Sequence, residues 1–576
     1  MQKKSLEDMQ VYRFVSHVPA DAKLLDSKPV YKRKRDNNGV VVRFKNRLVV
    51  RGFLQRAAID FDSTFAPTLS YSTIRVMLAI AAVRDLELKT MDVETAFLHA
   101  DLDRPLFMKI PSSFTNVPKG AVALELKKSL YGLHQSGKLW NAMLTNALVE
   151  LKFEAGKNGD MCTFAQRSRS GNMILLGVFV DDIIYMYNKI DEPQMEEIKS
   201  KLMSKFKIKD LGDATSILGM RIKRDRAARV IELDQEQYIK QCCALLGLTN
   251  AKPMLTPENI AASHRLLSQP AASSGSDSDS DSDSSDSEDE DISDETKLTL
   301  TNFRSAVGML GYAALASRPD VAHAYSMAAR QQQNPTQQDL TALAHTFRYL
   351  KGSASHTLRF SNDSTNLQLV AFSDADWAGD SADARSTSGI LLKLGGSAVS
   401  WSSSKQSNVA LSSSEAEYIA ASETGREIVA MRIQLAELGE AQAAPTPLCI
   451  DNETAIRMAL EEGNHGRRKH INVKHHYLRE LVAEKLVVLE WVPTSEQQAD
   501  MLTKATSRGQ YFAMRDLSMG HDNNTHTPQA HFTEQLTFAS APSHAQSSVE
   551  AACYECAEED NYEQVKATTA TISPGE

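Results

Sequence analysis

The chain has 576 residues, of which 42% are hydrophobic and 24% charged, as is ordinary for soluble globular protein. It is too long for one core, so we expect three or four domains. No apolar run approaches the roughly 18–20 residues of a membrane span, and the N-terminus has no apolar signal core. The six scattered cysteines favour a reducing compartment. These features exclude a secreted disulfide scaffold and a membrane protein.

Positive charge is concentrated between residues 31 and 52. Eight lysines and arginines in this stretch alternate with apolar residues, against a single acid, Asp36. A turn signal, Asn37-Asn38-Gly39, stands between the two halves. The pattern predicts a basic β-hairpin suited to the phosphates of a nucleotide or a nucleic-acid backbone. A solvated edge strand that carries lysines against aggregation is the alternative.

Carboxylates follow at the ends of predicted strands. Residues 86–90 predict a strand that leads to Asp92, and residues 174–187 predict an apolar hairpin with Asp181 and Asp182 at its tip. Adjacent aspartates repel each other, and divalent cations such as Mg²⁺ neutralise such a pair. A polymerase needs this arrangement to hold two metals about 4 Å apart. A hairpin turn that happens to carry two aspartates is the alternative.

Four ordered segments carry a family resemblance: KNRLVVRGF at 45–53, DVETAFL at 92–98, KSLYGLHQS at 128–136 and FVDD at 179–182. In order and spacing they closely resemble the reverse transcriptase of copia-type long-terminal-repeat retrotransposons. The resemblance extends over roughly residues 10 to 505. It implies an α/β (α+β) right-hand polymerase fold with fingers, palm and thumb over residues 1–260.

The resemblance also implies roles for individual residues. Asp92, Asp181 and Asp182 would bind two Mg²⁺ (or Mn²⁺) ions. Six residues would meet the incoming nucleotide: Lys45, Arg47, Arg51, Phe97, Tyr131 and Gly132. The three basic residues would reach the triphosphate, and the phenylalanine would exclude a 2′-hydroxyl. The tyrosine and the glycine would touch the template–nucleotide pair. Ordinary core packing is the alternative for both aromatic residues.

An acidic run divides the chain. Residues 273–295 contain eleven acids and no base, in a Ser-Asp alternation. Such a sequence cannot bury apolar surface, so we expect a disordered linker over residues 261–296. A connection subdomain is expected over residues 297–365. Residues 509–576 show no periodicity and are predicted to be a disordered tail.

Residues 366–508 predict a mixed-sheet α/β domain. Three strands precede a capped helix that begins at Ser412, a short strand ends near Asp451, and a later helix is expected over 497–502. The block resembles the ribonuclease H that follows reverse transcriptase in the same elements. That resemblance implies four carboxylates that hold two further Mg²⁺ (or Mn²⁺) ions: Asp374, Glu415, Asp451 and Asp500. Glu417 and Asp376 are close alternatives within the same motifs.

Two other groups have metal-like spacing. His470, His475 and His476 are close in sequence, but the family places the first two in a helix-start block, which favours a structural or hybrid-contacting role. Cys553 and Cys556 have zinc-like spacing without a second pair of ligands. We favour no metal at either group.

The sequence therefore predicts a reverse transcriptase with an attached ribonuclease H. Its partners would be an RNA template, a DNA primer, deoxynucleoside triphosphates and RNA–DNA hybrid, in the cytoplasm within a virus-like particle or in the nucleus. A non-catalytic nucleic-acid-binding remnant, or a host-adopted protein acting through its acidic run, is the alternative. Without protease, integrase or Gag motifs, the chain is expected to be the C-terminal polymerase part of a longer polyprotein or a genomic remnant.

Overall fold

The computed structural model describes most of the chain up to residue 521. The described ranges are 2–35, 41–259, 296–361, 367–380, 383–460 and 472–521. The acidic run, the turn signal at 37–39 and the residues beyond 521 lie outside them, so the predictions of disorder there stay predictions. All described residues belong to one unit, residues 1–525.

The described residues form twelve α-helices, none of them long and apolar enough to cross a membrane. They are α1 Gln2–Asp8, α2 Tyr71–Val83, α3 Ser136–Glu150, α4 Glu192–Lys205, α5 Glu236–Leu245, α6 Phe303–Ala316, α7 Ala322–Arg330, α8 Gln337–Gly352, α9 Ser413–Glu437, α10 Glu453–Leu460, α11 Asn472–Ala483 and α12 Arg508–Met519.

The strands fall into five sheets. They are β1 Tyr12–Val15, β2 Leu24–Leu25, β3 Ser27–Arg35, β4 Val41–Val50, β5 Glu87–Val93, β6 Asp101–Met108, β7 Ala123–Lys128, β8 Glu154–Ala155, β9 Thr163–Arg167, β10 Met173–Phe179, β11 Asp182–Tyr187, β12 Ile208–Asp213, β13 Ser216–Ile217, β14 Met220–Asp225, β15 Val230–Asp234, β16 Leu358–Ser361, β17 Leu369–Ala375, β18 Thr387–Leu394, β19 Ser397–Lys405, β20 Thr446–Ile450 and β21 Val487–Trp491.

A six-stranded sheet in the order β12-β5-β11-β10-β9-β8 forms the centre of the N-terminal half. Its middle strands carry apolar residues on both faces because helices cover both faces of the sheet. Leu175 and Ile184 pack in one core with α2, and Leu176 and Ile183 pack in another with α3 and α4. The predicted strand before Asp92 and the predicted apolar hairpin are both confirmed as β5 and β10–β11.

The predicted basic hairpin is confirmed as the two-stranded sheet β3–β4. Its strands pair in antiparallel register, with Val30 opposite Arg47 and Lys32 opposite Lys45. A small sheet has the order β1-β7-β6-β2 and combines strands from before and after the hairpin. It packs on a separate apolar core that includes Leu48 of the hairpin. The hairpin is thus anchored at its base.

The two sides of the acidic run share one sheet. Strand β15 before the run pairs with β16 after it, and Ile231 lies opposite Phe360. The sheet has the order β13-β14-β15-β16, and helices α5 to α8 lie between its last two strands in sequence. The sequence-based division at the acidic run did not anticipate this pairing.

The C-terminal half is built on a five-stranded sheet in the order β19-β18-β17-β20-β21. Strands β17, β20 and β21 are mutually parallel, so their carboxyl ends meet at one edge. The three predicted strands and the capped helix are confirmed as β17–β19 and α9. The helix expected over 497–502 is wrong, because only a 3-10 turn, Asp500–Leu502, forms there.

The two halves pack against each other through a buried arginine. Arg75 on α2 donates hydrogen bonds to the carbonyl oxygens of Val399 (2.8 Å), Leu315 (2.7 Å) and Ala316 (2.9 Å). Its guanidinium carbon lies 3.8 Å from the ring centroid of Trp401. One apolar core runs from α2 into the C-terminal sheet.

The predicted start of the tail at residue 509 is wrong. Helix α12 covers residues 508–519 and buries Tyr511, Met514 and Met519. The Tyr511 hydroxyl donates a hydrogen bond to the Asp320 carbonyl oxygen at 3.1 Å, so this helix is fastened to the core. The apolar residues of α12 recur with helical spacing on one face. The sequence did not predict this helix because the apolar stripe is short and lies within a polar segment.

Candidate active sites

Three carboxylates predicted from the sequence lie on neighbouring strands of the six-stranded sheet. Asp92, near the end of β5, is the direct cross-strand partner of Asp182, the first residue of β11. The Val93 backbone N–H donates a hydrogen bond to the Asp181 carbonyl oxygen at 2.8 Å. All three aspartates are half-buried. Strand pairing therefore brings Asp92 beside a hairpin that is far away in sequence.

The turn between β10 and β11 has an unusual backbone. Val180 has a φ of +56°, in the left-handed region that a β-branched residue adopts at an energetic cost. The indole Nε1 of buried Trp140 donates a hydrogen bond of 2.7 Å to the Val180 carbonyl oxygen and so supports this turn. The sequence does not single out Trp140, because a large aromatic residue in a predicted helix usually indicates core packing and not support of a site.

A cavity of about 250 Å³ opens beside the aspartates. Its lining combines acids, one cation and aromatic rings: Arg47, Ala96, Phe97, Tyr131, Phe179, Val180, Asp181 and Asp182. The guanidinium carbon of Arg47 lies 4.8 Å from the Tyr131 ring centroid. The Phe97 ring meets the Tyr131 ring edge-on, with centroids 5.3 Å apart. The structure thus brings together five of the predicted nucleotide-site and metal-site residues.

Electrostatics at this cavity favour a neutral tyrosine beside a charged arginine. Burial raises the pKa of Tyr131, although the Arg47 charge opposes the shift. The Arg47 Nε is buried and has no hydrogen-bond acceptor among the described residues. A buried donor without a partner is costly in a native structure. The cavity therefore offers a cationic donor opposite its carboxylates.

The other predicted nucleotide-binding residues are placed differently. Arg51 is exposed, and its Nη1 lies 3.4 Å from Asp26 Oδ2 rather than in the cavity lining. Lys45 lies on β4, but its side chain is outside the described part of the structure. Among the three predicted basic residues, the structure places Arg47 in the cavity wall.

Gly132 makes a close backbone contact. Its φ is +92°, and a Cβ there would lie 2.1 Å from the Val50 carbonyl oxygen. The Val50 N–H donates a hydrogen bond of 2.8 Å to the Tyr131 carbonyl oxygen. A Cβ on Gly52 would likewise lie 2.1 Å from the Gly132 carbonyl oxygen. Only glycine fits at Gly132, and the contact fastens the basic hairpin beside Tyr131.

A second acidic group lies at the edge of the C-terminal sheet. Oxygen atoms of Asp374, Glu417 and Asp451 all lie within 4.8 Å of one another. Asp374 is in β17, Asp451 follows β20, and Glu417 is in the second turn of α9. The parallel pairing of β17 with β20, where Phe372 lies opposite Cys449, explains the convergence.

The acid from α9 at this group is Glu417 and not the predicted Glu415. Glu415 is the third residue of the helix. Its N–H donates a hydrogen bond of 3.2 Å to the N-cap side chain, Ser412 Oγ, and its Oε2 accepts one of 2.8 Å from the Leu411 N–H. Residues two apart on a helix point in different directions. Glu415 therefore caps the helix while Glu417 faces Asp374, a distinction that the Ser-x-x-Glu capping pattern already contained.

The buried acids are strongly coupled. Burial, with the nearby charges of Asp374 and Asp451, raises the pKa of Glu417 to about 10. Glu417 Oε2 is buried and accepts no hydrogen bond from the described residues. Burial and the Asp451–Asp374 repulsion likewise raise the pKa of Asp451, against a hydrogen bond of 2.8 Å that Thr494 Oγ1 donates to it. Protons or cations must therefore offset these charges.

Asp500 joins the group through different contacts. It is fully buried, and burial followed by the charge of Asp374 raises its pKa to about 7. Gln510 Nε2 donates a hydrogen bond to Asp500 Oδ2 at 2.7 Å, and Lys504 Nζ lies 2.5 Å from Asp500 Oδ1. Thr503 Oγ1 donates a bond of 2.5 Å to Asp374 Oδ2. Sequence analysis did not single out Lys504, Thr503 or Gln510.

The remaining predicted groups lie elsewhere. Asp376, the alternative to Asp374, is not in the acidic group of Asp374, Glu417 and Asp451. Its Oδ1 accepts a hydrogen bond from the backbone N–H of Thr387. The side chains of His470, His475 and His476, and both Cys553 and Cys556, lie outside the described residues. Their roles stay predictions.

Comparison with known proteins identifies the family to which the N-terminal half is similar. The family model described as "Reverse transcriptase (RNA-dependent DNA polymerase)" matches residues 9–260. The putative transposon Ty5-1 protein of Saccharomyces cerevisiae is 30% identical, over 59% of this chain and 100% of that protein. The chain belongs to the copia-type reverse transcriptase family.

Longer relatives of this copia-type chain extend the match into the C-terminal half. The retrovirus-related Pol polyprotein from transposon TNT 1-94 of Nicotiana tabacum is 35% identical over 90% of the chain and 37% of that protein. The Pol polyprotein from transposon RE1 of Arabidopsis thaliana is 32% identical over 85% of the chain and 31% of that protein. The chain therefore spans about a third of the length of these relatives.

Proposed function

We propose that the chain is an RNA- and DNA-templated DNA polymerase with an attached ribonuclease H. The observation that supports the polymerase most directly is the pairing of Asp92 with Asp182 beside a cavity that Arg47 completes. Family membership supports the same activity, since the matching family is described as an RNA-dependent DNA polymerase. The substrates would be an RNA or DNA template, a DNA primer and deoxynucleoside triphosphates.

The polymerase carboxylates fit divalent metal ions. Carboxylate oxygens are the ligands that Mg²⁺ prefers, and Asp181 and Asp182 line an open cavity, with Asp92 on the neighbouring strand. Two Mg²⁺ or Mn²⁺ ions would activate a 3′-hydroxyl and steady the leaving pyrophosphate. The three aspartates would hold these ions, and the supported Val180 turn would fix the position of the hairpin tip.

The cavity wall would position the nucleotide. Arg47 lines the cavity, and its guanidinium group would donate hydrogen bonds to triphosphate oxygens. Phe97 is held edge-on against Tyr131, so its ring would meet the sugar and exclude a 2′-hydroxyl. Arg51 would approach the phosphates only from outside the cavity described above, and Lys45 stays a predicted phosphate contact. Gly132 would act through its close contact with the hairpin.

The second acidic group would be the ribonuclease H centre. Asp374, Glu417 and Asp451 offer oxygens close enough to share a cation, and Glu417 Oε2 is buried without a donor. Asp500 is the fourth carboxylate of the proposed set. This donor set fits the two Mg²⁺ or Mn²⁺ ions with which such enzymes cut the RNA strand of a hybrid. Glu417 thus replaces Glu415 in the proposed ligand set.

The subdomain proposal follows the same division. Residues 1–260 would form fingers, palm and thumb, residues 297–365 the connection, and the ribonuclease H-like domain would start near 366. Its end moves beyond 508, because α12 is packed into the core. The acidic linker over 261–296 keeps its proposed role as a spacer. The enzyme would act inside the cell, in a cytoplasmic particle or the nucleus.

Primer extension on poly(rA)–oligo(dT) tests the proposal. The purified chain with Mg²⁺ should extend the primer and, on a labelled hybrid, cut the RNA strand. Both activities should vanish when a chelator removes the metal. Hybrid binding without either activity would instead identify a non-catalytic nucleic-acid-binding remnant.

A further inference from the structure

A lysine reaches into the buried acids of the C-terminal sheet. Lys504 Nζ lies 2.5 Å from Asp500 Oδ1 and 3.8 Å from Asp374 Oδ2. The Lys504 side chain is 46% exposed, whereas those of Asp374 and Asp500 are 2% and 0% exposed. The ammonium group therefore enters the acidic group from the surface, along the side that solvent can reach.

The four carboxylates of this group are not equivalent. Asp500 Oδ2 accepts a hydrogen bond from Gln510, and Asp500 Oδ1 accepts no aligned hydrogen bond from the described residues but has the Lys504 ammonium group as an ion-pair partner at 2.5 Å. By contrast, Asp374, Glu417 and Asp451 present oxygens within 4.8 Å of one another, and Glu417 Oε2 has no donor among the described residues. Asp374 and Asp451 accept hydrogen bonds from threonine hydroxyls, whereas Asp500 is the carboxylate in closest contact with a protein cation.

Lys504 is not an ordinary surface ion pair. Although Asp500 and Lys504 are four residues apart, the 3-10 turn ends at Leu502, so no α-helix sets their spacing. Exposed pairs contribute little because water screens them, but Asp500 is fully buried. Removing the partner of a buried charge is costly. Across the described ranges, Lys504 is the cation within ion-pair distance of these carboxylates.

We propose that Lys504 is a built-in counter-ion of the nuclease centre, and that a divalent cation uses Asp500 only by displacing its ammonium group. This inference rests on the proposed ribonuclease H function. The cation position formed by Asp374, Glu417 and Asp451 would fill first, because the Lys504 ammonium group lies farther from Asp374 (3.8 Å) than from Asp500 (2.5 Å). The position that needs Asp500 would fill at higher metal concentration. Lys504 is a positioning residue in this scheme, since it acts through Asp500.

Calorimetric titration with Mn²⁺ tests this order of binding. The full chain would carry Asp181→Asn and Asp182→Asn, so that the polymerase carboxylates do not contribute. We expect a stronger and a weaker binding event. Lys504→Met removes a unit charge a few ångströms from two ligands, and should tighten the weaker event by about tenfold with little change in the stronger one. Lys504→Arg keeps the charge and should keep the weaker event weak.

Hybrid cleavage gives a second readout. The Mg²⁺ concentration for half-maximal cleavage should fall in Lys504→Met and stay near the wild-type value in Lys504→Arg. Lys504→Gln provides a second neutral variant, and thermal unfolding confirms that each variant is folded. The neutral variants leave the buried Asp500 without its partner, so a lower unfolding temperature than that of the wild type is expected in metal-free buffer and smaller in Lys504→Arg.

Two outcomes distinguish a failure of the counter-ion inference from a failure of the proposed ribonuclease H function. If Asp451→Asn in the same background does not weaken Mn²⁺ binding, the acidic group is not a metal centre and the proposed nuclease fails. If binding does depend on Asp451, but neither neutral variant tightens the weaker event, the counter-ion inference is overturned and the nuclease proposal stands.

Discussion

The two acidic groups carry similar charges in very different surroundings. Asp181 and Asp182 are half-buried at a hairpin tip and line an open cavity. Asp374 and Asp500 are fully buried, and the charge around them is offset by Lys504 and by the raised pKa of Glu417. Water can screen the first group, whereas the second must carry its own counter-charge. The comparison shows two carboxylate groups whose charges are offset in different ways, by water in the first and by protein groups in the second.

The largest expected effect is that substitutions in the two acidic groups abolish different activities. Asp182→Asn should reduce primer extension by roughly a hundredfold or more while hybrid cleavage continues, because charge stabilisation supplies most of phosphoryl-transfer catalysis. Asp451→Asn should do the reverse. Asp213→Asn, an exposed acid at the end of β12, is the matched control and should change neither activity. If one substitution abolished both activities, the two groups would not be separate centres.

The next prediction sharpens the choice between two glutamates. Glu417→Gln should abolish cleavage of the RNA strand, since an amide cannot exchange a proton for a metal ion as the Glu417 carboxyl group would. Glu415→Gln should retain cleavage and lose at most about 1 kcal/mol of unfolding free energy, because only a helix cap is altered. Hybrid cleavage and urea unfolding of both variants provide the measurement. The opposite pattern would restore Glu415 as the metal ligand.

Local patterns predicted the structure where neighbouring residues decide it. The alternating apolar residues around Asp181 predict the hairpin, and the strand before Asp92 is equally clear. The choice between Glu415 and Glu417 was open in the sequence, because both fit the family motif. A helical projection of the capping pattern would have separated them.

Non-local contacts account for what the sequence did not predict. The pairing of β15 with β16 joins strands from either side of the acidic run, and no local pattern specifies it. The burial of α12 depends on a core that exists only after folding. The same holds for Lys504, whose partner Asp374 lies far away in sequence. Arg75 at the junction of the two halves is a further example.

A smaller effect is expected at the wall of the polymerase cavity. Phe97→Ala should raise ribonucleotide incorporation by roughly tenfold to a hundredfold, since a steric clash with the 2′-hydroxyl is removed. Phe97→Tyr keeps the ring and should preserve discrimination. Single-nucleotide extension with matched deoxy- and ribonucleotides measures the ratio. Unchanged discrimination in the alanine variant would make Phe97 a packing residue only.

The buried group should also make stability depend on pH in metal-free buffer. The pKa of Glu417 is raised from 4.5 to about 10, so the folded state holds a proton that the unfolded state releases. Its contribution to the unfolding free energy is therefore fully present below about pH 4.5 and is lost as pH rises towards 10. Between pH 7.5 and 9.5, above the Asp500 pKa of about 7, the wild type should lose stability with rising pH.

Glu417→Gln isolates this contribution. Its unfolding free energy, measured by urea denaturation with a chelator present, should fall less steeply over the same pH range. Added Mg²⁺ should also flatten the wild-type slope, because the cation replaces the proton at the carboxylate. Equal slopes for the wild type and the variant without metal would mean that Glu417 is ionised in the folded chain.

The smallest effect is expected from deletion of the acidic run, which lies outside the described residues that form the two acidic groups. Deleting residues 273–295 should leave extension and cleavage within about twofold of the full chain, since a spacer of this kind tolerates change in length. The flanks are anchored without it. Thr346 Oγ1 donates a hydrogen bond of 3.0 Å to the Pro257 carbonyl oxygen, and the Lys297 N–H donates one of 2.9 Å to the Leu246 carbonyl oxygen.

The deletion leaves residues 260–272 to connect those anchors, a segment that can extend to roughly 40 Å. Strand β15 should therefore still pair with β16, and both sheets should keep their acids in place. Nucleic-acid affinity at low salt should rise slightly, because a block of negative charge is removed. Replacing the same residues with an uncharged Gly/Ser segment of equal length separates charge from length. If the deletion unfolds the chain while the Gly/Ser version stays folded, the run is needed for its length and the anchors alone do not hold the two halves together.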